Sequence, residues 1–136
     1  MITEDIMSGD VITVEPKATV KEASQKMRTF GIGTLVVVEG DYPVGIITER
    51  DITYRVVARD LNPSTYVEYV MTTELITVDT TTPVERIIET MVKHNFRRLP
   101  VLEKGKLAGI VSIRDIIRQP KLEKSILKEL TKLELW

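Results

Sequence analysis

The sequence contains GIITERDI at residues 45–52, and a similar stretch, GIVSIRDI, is found at residues 109–116. In each copy a short apolar run, typical of a buried strand, meets a hydroxyl residue, and an aspartate follows three positions later. The resulting polar pairs are Thr48 with Asp51 and Ser112 with Asp115. If a helix begins at the hydroxyl, both polar side chains lie in its first turn and can face a common ligand.

The same spacing also fits a helix cap, in which the hydroxyl oxygen accepts a backbone N–H and an acidic residue occupies the third helical position. Such caps are common helix starts, so these residues alone leave both roles open. The repeat favours the ligand role. Residues 3–52 align with residues 67–116 without a gap, and 15 of the 50 positions are identical. Two copies that are each too small to bury an apolar face should pack with pseudo-twofold symmetry and share a cleft.

Composition sets the class of protein. The chain has 136 residues and 43% hydrophobic content, enough for one globular module with its own core. A net charge of -1 provides no general field for nucleic acid or an anionic membrane. The absence of cysteine excludes disulfides, thiolate metal sites and a cysteine nucleophile, and it favours a cytoplasmic protein. Without a signal-like segment or an apolar run near ~18 residues, we expect a soluble, unprocessed chain.

Periodicity predicts the order β-α-β-β-α in each copy. The first copy should have strands at 11–14, 35–38 and 44–47. Its first helix should begin at Thr19 and end at Gly31, and its second should begin at Thr48 and turn Ile52, Val56 and Val57 inward. The second copy should have strands at 75–78, 99–102 and 107–111, with helices from Thr82 and Ser112. We place Pro83 at the first helical position and Glu85 at the third. The predicted domains are 2–60, a linker at 61–66, 67–119, and a terminal helix at 120–136.

The terminal segment is amphipathic. One face carries Leu122, Ile126, Leu130 and Leu133, and another carries Lys121, Lys124, Lys128 and Lys132. Because three glutamates balance these lysines, we expect the helix to pack on its own chain or on a neighbouring subunit. A basic helix on a membrane surface is the alternative.

Catalytic signatures are missing from the sequence. The single histidine, His94, has no second histidine or cysteine with which to build a metal site. No phosphate-binding loop, zinc-protease or nucleophile-elbow motif occurs, and no acid–base pair of carboxylates can be nominated. Only residues 120–136 follow the second copy, so we expect no fused catalytic domain and no enzyme activity.

A basic pair marks the second copy. Arg97 and Arg98 directly precede a strand that should neighbour the strand ending at Ser112. An aspartate for ribose hydroxyls, a hydroxyl and helix amides for phosphate, and arginines for its charge together make a nucleotide site. Solvated surface arginines are the alternative. The first copy has Gly33 and Thr34 at these positions, so the two clefts should differ in charge.

Together the two G-h-h-[ST]-x-x-D endings, the strands Ile12–Val14 and Ile76–Val78, and the Arg-Leu-Pro-Val run resemble a pair of cystathionine-beta-synthase (CBS) domains, the Bateman module. The resemblance implies an α+β fold of two β-α-β-β-α repeats with two pseudo-symmetric clefts and a homodimeric disc. It also implies a regulatory module that binds AMP, ADP, ATP or S-adenosylmethionine, with no catalytic cofactor or metal, and that acts on an unknown partner protein. The alternative is a structural or protein-interaction module without a physiological nucleotide.

Within that family the aspartate holds the ribose, while the hydroxyl and basic residues hold phosphate. Carried over by position, the resemblance implies a first cleft lined mainly by the second copy and completed by three residues of the first copy. The residues from the second copy are Ile110, Ser112, Arg114, Asp115, Arg97 and Arg98, and those from the first copy are Ile12, Ile32 and Gly33. The second cleft takes residues of the first copy with three that cross from the second: Ile46, Thr48, Arg50 and Asp51, with Ile76, Phe96 and Arg97. Backbone groups near Ser8–Ile12 and Thr72–Ile76 should contact the adenine edge.

Overall fold

The computed structural model describes residues 1–132, which form two compact units. Val11–Leu75 make up the first unit, and Met1–Asp10 together with the residues from Ile76 onward make up the second unit. Each unit therefore contains the body of one sequence repeat and the leading segment of the other. The domain limits that we drew from the repeat describe similarity in sequence, and they stay a prediction.

The first unit follows the order β-α-β-β-α. Its elements are β1 (Thr13–Val14), α1 (Val20–Phe30), β2 (Thr34–Glu39), β3 (Tyr42–Thr48) and α2 (Glu49–Ile52), which continues as π-helical turns over Thr53–Val57. The sheet has the order β1-β2-β3, with β1 parallel to β2 and β2 antiparallel to β3. A 3₁₀ turn over Val67–Tyr69 closes the unit.

The second unit has the same order. After a 3₁₀ turn at Thr3–Asp5 it contains β4 (Val78–Asp79), α3 (Val84–His94), β5 (Arg98–Glu103), β6 (Lys106–Ser112) and α4 (Ile113–Ile117). Its sheet order, β4-β5-β6, again combines a parallel and an antiparallel pair. A 3₁₀ turn at Pro120–Leu122 leads into α5 (Glu123–Thr131). The predicted fold class, α+β with two β-α-β-β-α repeats, is confirmed, whereas the pseudo-twofold packing of the repeats stays a prediction.

Each unit buries its own apolar cluster. In the first unit the predicted face of α1 is buried, with Val20, Ala23 and Met27 packed against the central strands. In the second unit the predicted stripe of α3 is buried in the same way, and its members are Val84, Ile87, Ile88 and Met91. The apolar spacing of both helices therefore places their inward faces correctly.

Local signals explain where the helices begin and end. The Thr19 hydroxyl accepts the Glu22 N–H at the start of α1, as predicted from the sequence. At the other end of α1, Gly31 has a φ of 65°, the left-handed conformation that glycine adopts without strain. Asn95 takes the same conformation after α3, so His94 is the last residue of that helix and is exposed.

Two helix details differ from prediction. Helix α3 begins at Val84, with Pro83 at the cap position and not at the first helical position. Its predicted cap, Thr82, accepts the Asp79 N–H, because its hydroxyl closes the preceding turn. Val57, predicted to point inward from the helix after Thr48, is 67% exposed because the π-helical widening turns it outward.

The strands β1 and β4 are shorter than predicted. Val11, Ile12 and residues 75–77 lie outside them, because pairing with the neighbouring strand begins at Thr13 in one unit and at Val78 in the other. The hairpin turns match the sequence signals: Gly40 has a φ of 62°, and Lys104 and Gly105 both have positive φ, as in a type I′ turn.

The terminal helix α5 contacts α3 of its own chain. Leu122 is buried in the core of the second unit, and Ile126 is packed against that core. Leu130 is 42% exposed, so the apolar face is only partly covered. Packing on its own chain is therefore confirmed for this stretch, while the predicted contribution of Leu133 lies outside the described residues. No helix within residues 1–132 is both long enough and apolar enough to span a bilayer.

Candidate functional site

The first candidate site is the junction of β6 and α4, where Ser112 caps the helix. The Ser112 hydroxyl accepts the Asp115 N–H at 3.2 Å, and Asp115 Oδ2 accepts the Ser112 N–H at 2.8 Å and its hydroxyl at 2.9 Å. Asp115 Oδ1 has no hydrogen bond or ion pair with any of residues 1–132. Because no buried side-chain oxygen in that range lacks a partner, this oxygen contacts solvent. The cap uses one carboxylate oxygen of Asp115 and leaves the other able to accept a hydrogen bond.

Two arginines lie directly beside this cap. Arg98 is the register partner of Ser112 in the antiparallel pair β5–β6, and the Ile113 N–H donates to the Arg97 carbonyl at 2.8 Å. Both arginine side chains are exposed, as is Arg114 in the first turn of α4. The structure therefore groups three guanidinium-bearing residues around one aspartate, a charge pattern suited to an anionic ligand.

The Met7–Ser8 segment forms the edge of this site. Ser8 and Ile110 exchange two backbone hydrogen bonds of 2.9 Å. A Cβ atom on Gly109 would lie 2.6 Å from the Ser8 carbonyl oxygen and 2.9 Å from Met7 Sδ, so only glycine admits this close approach. The predicted proximity of the Ser8 backbone to the site is thus present within one unit.

The second candidate site, at the junction of β3 and α2, has the same cap but a different environment. Asp51 Oδ2 accepts the Thr48 N–H at 3.0 Å, and the Thr48 hydroxyl accepts the Asp51 N–H at 3.1 Å. Here Oδ1 is also engaged, since it accepts the Thr72 hydroxyl at 3.1 Å and lies 3.8 Å from Arg55 Nε. The Asp51 side chain is only 9% exposed. Both oxygens of this carboxylate therefore have partners within the chain.

Charge also differs at this second site. The Glu49 N–H donates to the Gly33 carbonyl, and a Cβ atom on Gly33 would lie 2.9 Å from the Glu49 carboxylate. An acidic side chain therefore fills the space beside the position that corresponds to Arg97. Arg50 stacks on the Tyr54 ring, with 4.9 Å between the guanidinium carbon and the ring centroid. Ile32 and Glu49 line a surface groove of about 480 Å³ that neither Thr48 nor Asp51 lines.

The predicted site residues divide between the units. The second unit brings together Ile110, Ser112, Arg114, Asp115, Arg97 and Arg98, and the first unit brings together Ile46, Thr48, Arg50 and Asp51. Ile12, Ile32 and Gly33 belong to the first unit, and Ile76 and Phe96 belong to the second. Phe96 is 39% exposed and stacks on His94. The crossing of Ile12, Ile32, Gly33, Ile76, Phe96 and Arg97 to the site of the other unit stays a prediction.

Sequence reasoning missed the side-chain partners of Asp51. It expected only backbone groups near Thr72, whereas the Thr72 hydroxyl binds the carboxylate. It gave no role to Arg55, whose Nη1 also donates to the Val70 and Met71 carbonyls at 3.0 Å each. A comparison of the two copies could have identified Arg55, because the equivalent position in the second copy is occupied by the uncharged Gln119.

Both copies of the repeat match one protein family. The CBS domain profile matches residues 3–58 and 67–121. The CBS domain-containing protein YhcV of Bacillus subtilis is 35% identical over 113 residues, covering 83% of this chain and 81% of YhcV. The CBS domain protein PAE2072 from Pyrobaculum aerophilum, solved in complex with AMP, superposes with a TM-score of 0.82 at 29% identity, over 97% of this chain and 99% of that one.

The CBS domain pair of protein MJ0100, solved with 5-methylthioadenosine and S-adenosyl-L-methionine, is 30% identical and superposes with a TM-score of 0.77, covering 87% of this chain and 94% of that one. The two matched segments coincide with the two copies of the repeat, and each ends with the strand, hydroxyl cap and aspartate described above. The chain is therefore a member of the CBS domain family and carries two CBS domains in tandem.

Proposed function

We propose that this chain is a regulatory module that binds an adenosine-containing ligand, such as AMP, ADP, ATP or S-adenosylmethionine, at the site around Asp115. The observation that carries the proposal is the solvent-accessible Oδ1 of Asp115, left unpaired by the described residues beside Arg97 and Arg98. The module binds the ligand without transforming it, and it passes the bound state to a partner protein.

Each part of such a ligand has a candidate recognition group. Asp115 Oδ1 accepts from ribose hydroxyls, since an ionised carboxylate accepts and does not donate. Arg97, Arg98 and Arg114 provide charge-assisted hydrogen bonds to phosphate or to a carboxylate. Ile110 supplies an apolar surface for adenine, and the Gly9–Asp10 backbone that follows Ser8 supplies polar groups for the edge of the base.

The comparisons support the ligand class. One related structure holds AMP, and another holds 5-methylthioadenosine and S-adenosyl-L-methionine, so the ligands share the adenosine group and differ at its 5′ end. The arginines beside Asp115 favour a member of this class that carries negative charge at the 5′ position. AMP is therefore the first ligand to test.

The test is isothermal titration calorimetry of the whole chain with AMP, ADP, ATP and S-adenosylmethionine, comparing wild type with Asp115→Ala. Losing the hydrogen bonds to a charged group should cost about 1.5–3 kcal/mol, which weakens binding about tenfold to 150-fold. Because Asp115 also caps α4, circular dichroism must show that the variant is folded. Asp115→Asn, which keeps an amide at the cap, provides a second variant.

Glu103→Ala is the matched control, because Glu103 is an exposed acidic residue at the far end of β5 in the same unit. It should leave the affinity unchanged. If folded Asp115→Ala and Asp115→Asn both bind AMP like wild type, Asp115 is not part of the site. If no member of the panel binds wild type, the proposed function is wrong.

A second candidate function is a dimerisation or protein-interaction module. The observation that favours it is the outer face of α4, where Ile113 is 43% exposed and Ile117, one turn later, is 64% exposed. Two large apolar side chains on one exposed helical stripe are typical of a contact surface. We propose a homodimer that uses this surface, and ligand sensing and dimerisation are compatible in one module.

A further inference from the structure

We infer that the Asp51 site is closed from within by Arg55 and Thr72, so that the native chain takes its adenosine-containing ligand only at the Asp115 site. The inference rests on the proposed function for the class of ligand. It assigns to Arg55 and Thr72 a role in setting the number of ligands per chain, a role independent of which ligand is native.

The closure is visible at the carboxylate. The Thr72 hydroxyl and the Arg55 guanidinium both approach Oδ1 of Asp51, at 3.1 and 3.8 Å, while Oδ2 accepts the cap hydrogen bond. With 9% of the side chain exposed, a ribose could reach Oδ1 only by displacing these groups. Displacement would leave donors in a partly buried position without their acceptor, which costs free energy unless the ligand replaces it.

Arg55 is held in this position by more than Asp51. Its Nη1 donates to two carbonyls, those of Val70 and Met71, at 3.0 Å each. The same backbone segment brings Thr72 to the site, where its N–H and carbonyl pair with Ile46. Arg55 therefore joins the π-helical turns after α2 to the Val70–Thr72 segment by hydrogen bonds and to the Asp51 carboxylate by an ion pair.

The corresponding group is absent from the second unit. At the same offset Arg55 becomes Gln119, which carries no charge, and Thr72 becomes Ser8. The Ser8 hydroxyl accepts the Asp10 N–H at 3.3 Å and makes no hydrogen bond to Asp115. In the second unit an uncharged amide thus replaces the cation, and the Ser8 hydroxyl contacts its own segment, which leaves Oδ1 of Asp115 without a partner among residues 1–132.

An independent observation points the same way. Glu49 places its carboxylate beside Gly33, whereas the second unit has Ile113 and Arg97 at these positions. Like charges repel, so a phosphorylated ligand meets an unfavourable field at the Asp51 site even when Oδ1 is released. Opening that site should therefore produce weak binding of AMP and stronger binding of uncharged adenosine.

The experiment removes both closing groups, because a serine at position 72 would keep the hydroxyl that binds Asp51. The variant Arg55→Gln/Thr72→Val is titrated with adenosine and with AMP by calorimetry, and the number of molecules bound per chain is compared with wild type. The expected result is one additional equivalent of adenosine, with AMP at the new site bound about tenfold more weakly than at the Asp115 site. Adding Asp51→Asn to this variant should remove the additional equivalent.

Arg59→Gln/Thr73→Val is the matched control, because both residues are exposed neighbours of the closing pair on the same segments. It should bind like wild type. Circular dichroism and thermal unfolding establish that each variant is folded, and the single variants Arg55→Gln and Thr72→Val serve if the double variant is not. An unchanged number of equivalents in a folded opened variant overturns the inference, as does a wild-type chain that already binds through Asp51.

The proposed function is decided separately by wild type. If wild type binds nothing and the opened variant binds one Asp51-dependent equivalent, the closure of the Asp51 site by Arg55 and Thr72 stands and the function assigned to the Asp115 site fails. If wild type binds one Asp115-dependent equivalent and the opened variant binds no more, the function stands and the inference fails.

Discussion

Asp51 and Asp115 occupy equivalent positions in two copies of one motif, and both cap a helix. They differ in their second carboxylate oxygen, which accepts the Thr72 hydroxyl in one case and has no partner among residues 1–132 in the other. A cap alone therefore does not distinguish a structural aspartate from a ligand-binding one. In our proposal the unused acceptor oxygen marks Asp115 as the ligand-binding one.

At the same scale, Arg98→Thr tests phosphate recognition, because Thr34 is the residue at this position in the first copy. Titration calorimetry should show AMP weakened by about 1.5–3 kcal/mol, since each guanidinium–phosphate hydrogen bond is charge-assisted. Adenosine, which lacks the phosphate, should lose little. Arg86→Thr, an exposed arginine on α3, is the control. Equal losses for AMP and adenosine would show that Arg98 shapes the pocket and does not bind phosphate.

A pH effect is expected at Asp79, in the turn before α3. The Thr81 backbone N–H, aided by the Thr81 and Thr80 hydroxyls, lowers the pKa of Asp79 below its ordinary value of 3.8. Because the folded pKa is the lower one, the stabilisation is complete above the unfolded pKa and is lost as the pH falls through the folded pKa. An NMR titration of the Asp79 carboxyl carbon should give a midpoint below 3.8. A midpoint at or above that value would contradict these hydrogen bonds.

At the scale of elements, the strand-to-helix junction is built by a close backbone crossing. The Met7–Ser8 segment lies over Gly109 in the second unit, and Met71–Thr72 lies over Gly45 in the first. In both units the crossing segment precedes the short first strand of the other repeat copy. The crossing segment leaves no room for a side chain at this position, which explains why both repeats have glycine there. The same contact brings a hydroxyl residue to each site.

Gly109→Ala should therefore destabilise the protein. Its Cβ would lie 2.6 Å from the Ser8 carbonyl oxygen, so the backbone must shift, at a cost of about 1–3 kcal/mol. Urea unfolding would measure this change, and the displaced Ser8 segment should weaken AMP binding too. Gly9→Ala is the control, since no heavy atom lies within 4 Å of its built Cβ, and we expect a change within about 0.5 kcal/mol. Equal stability of the two variants would contradict the crowding at Gly109.

At the scale of the whole molecule, the proposed homodimer can be tested by light scattering at micromolar concentrations. Wild type should have twice the mass of one chain, and Ile117→Glu should reduce that mass, because a charge at a buried apolar contact is not solvated. Leu127→Glu, another exposed apolar residue but on α5, is the control and should leave the mass unchanged. A wild-type monomer at high concentration would contradict the proposed dimer.

The sequence by itself determined the repeat, the β-α-β-β-α order, and the caps at Thr48 and Ser112. These depend on local spacing: a hydroxyl three residues before an aspartate, β-branched runs, and glycines that permit positive φ. It also anticipated the arginines beside Ser112, because the strand that Arg97 and Arg98 were predicted to precede pairs with the strand that ends at Ser112. Each of these features depends either on residues that are close in sequence or on the pairing of strands within one copy.

Only the tertiary structure decided which carboxylate is accessible. Thr72 lies 21 residues from Asp51 in sequence, and its hydroxyl reaches Oδ1 because the chain returns to pair with β3. The same return lets Arg55 bind the carbonyls of Val70 and Met71 next to that carboxylate. The two motifs are too similar to predict which aspartate has an accessible oxygen. That depends on hydrogen-bond distances and directions in the folded chain, and these are set by residues far away in sequence.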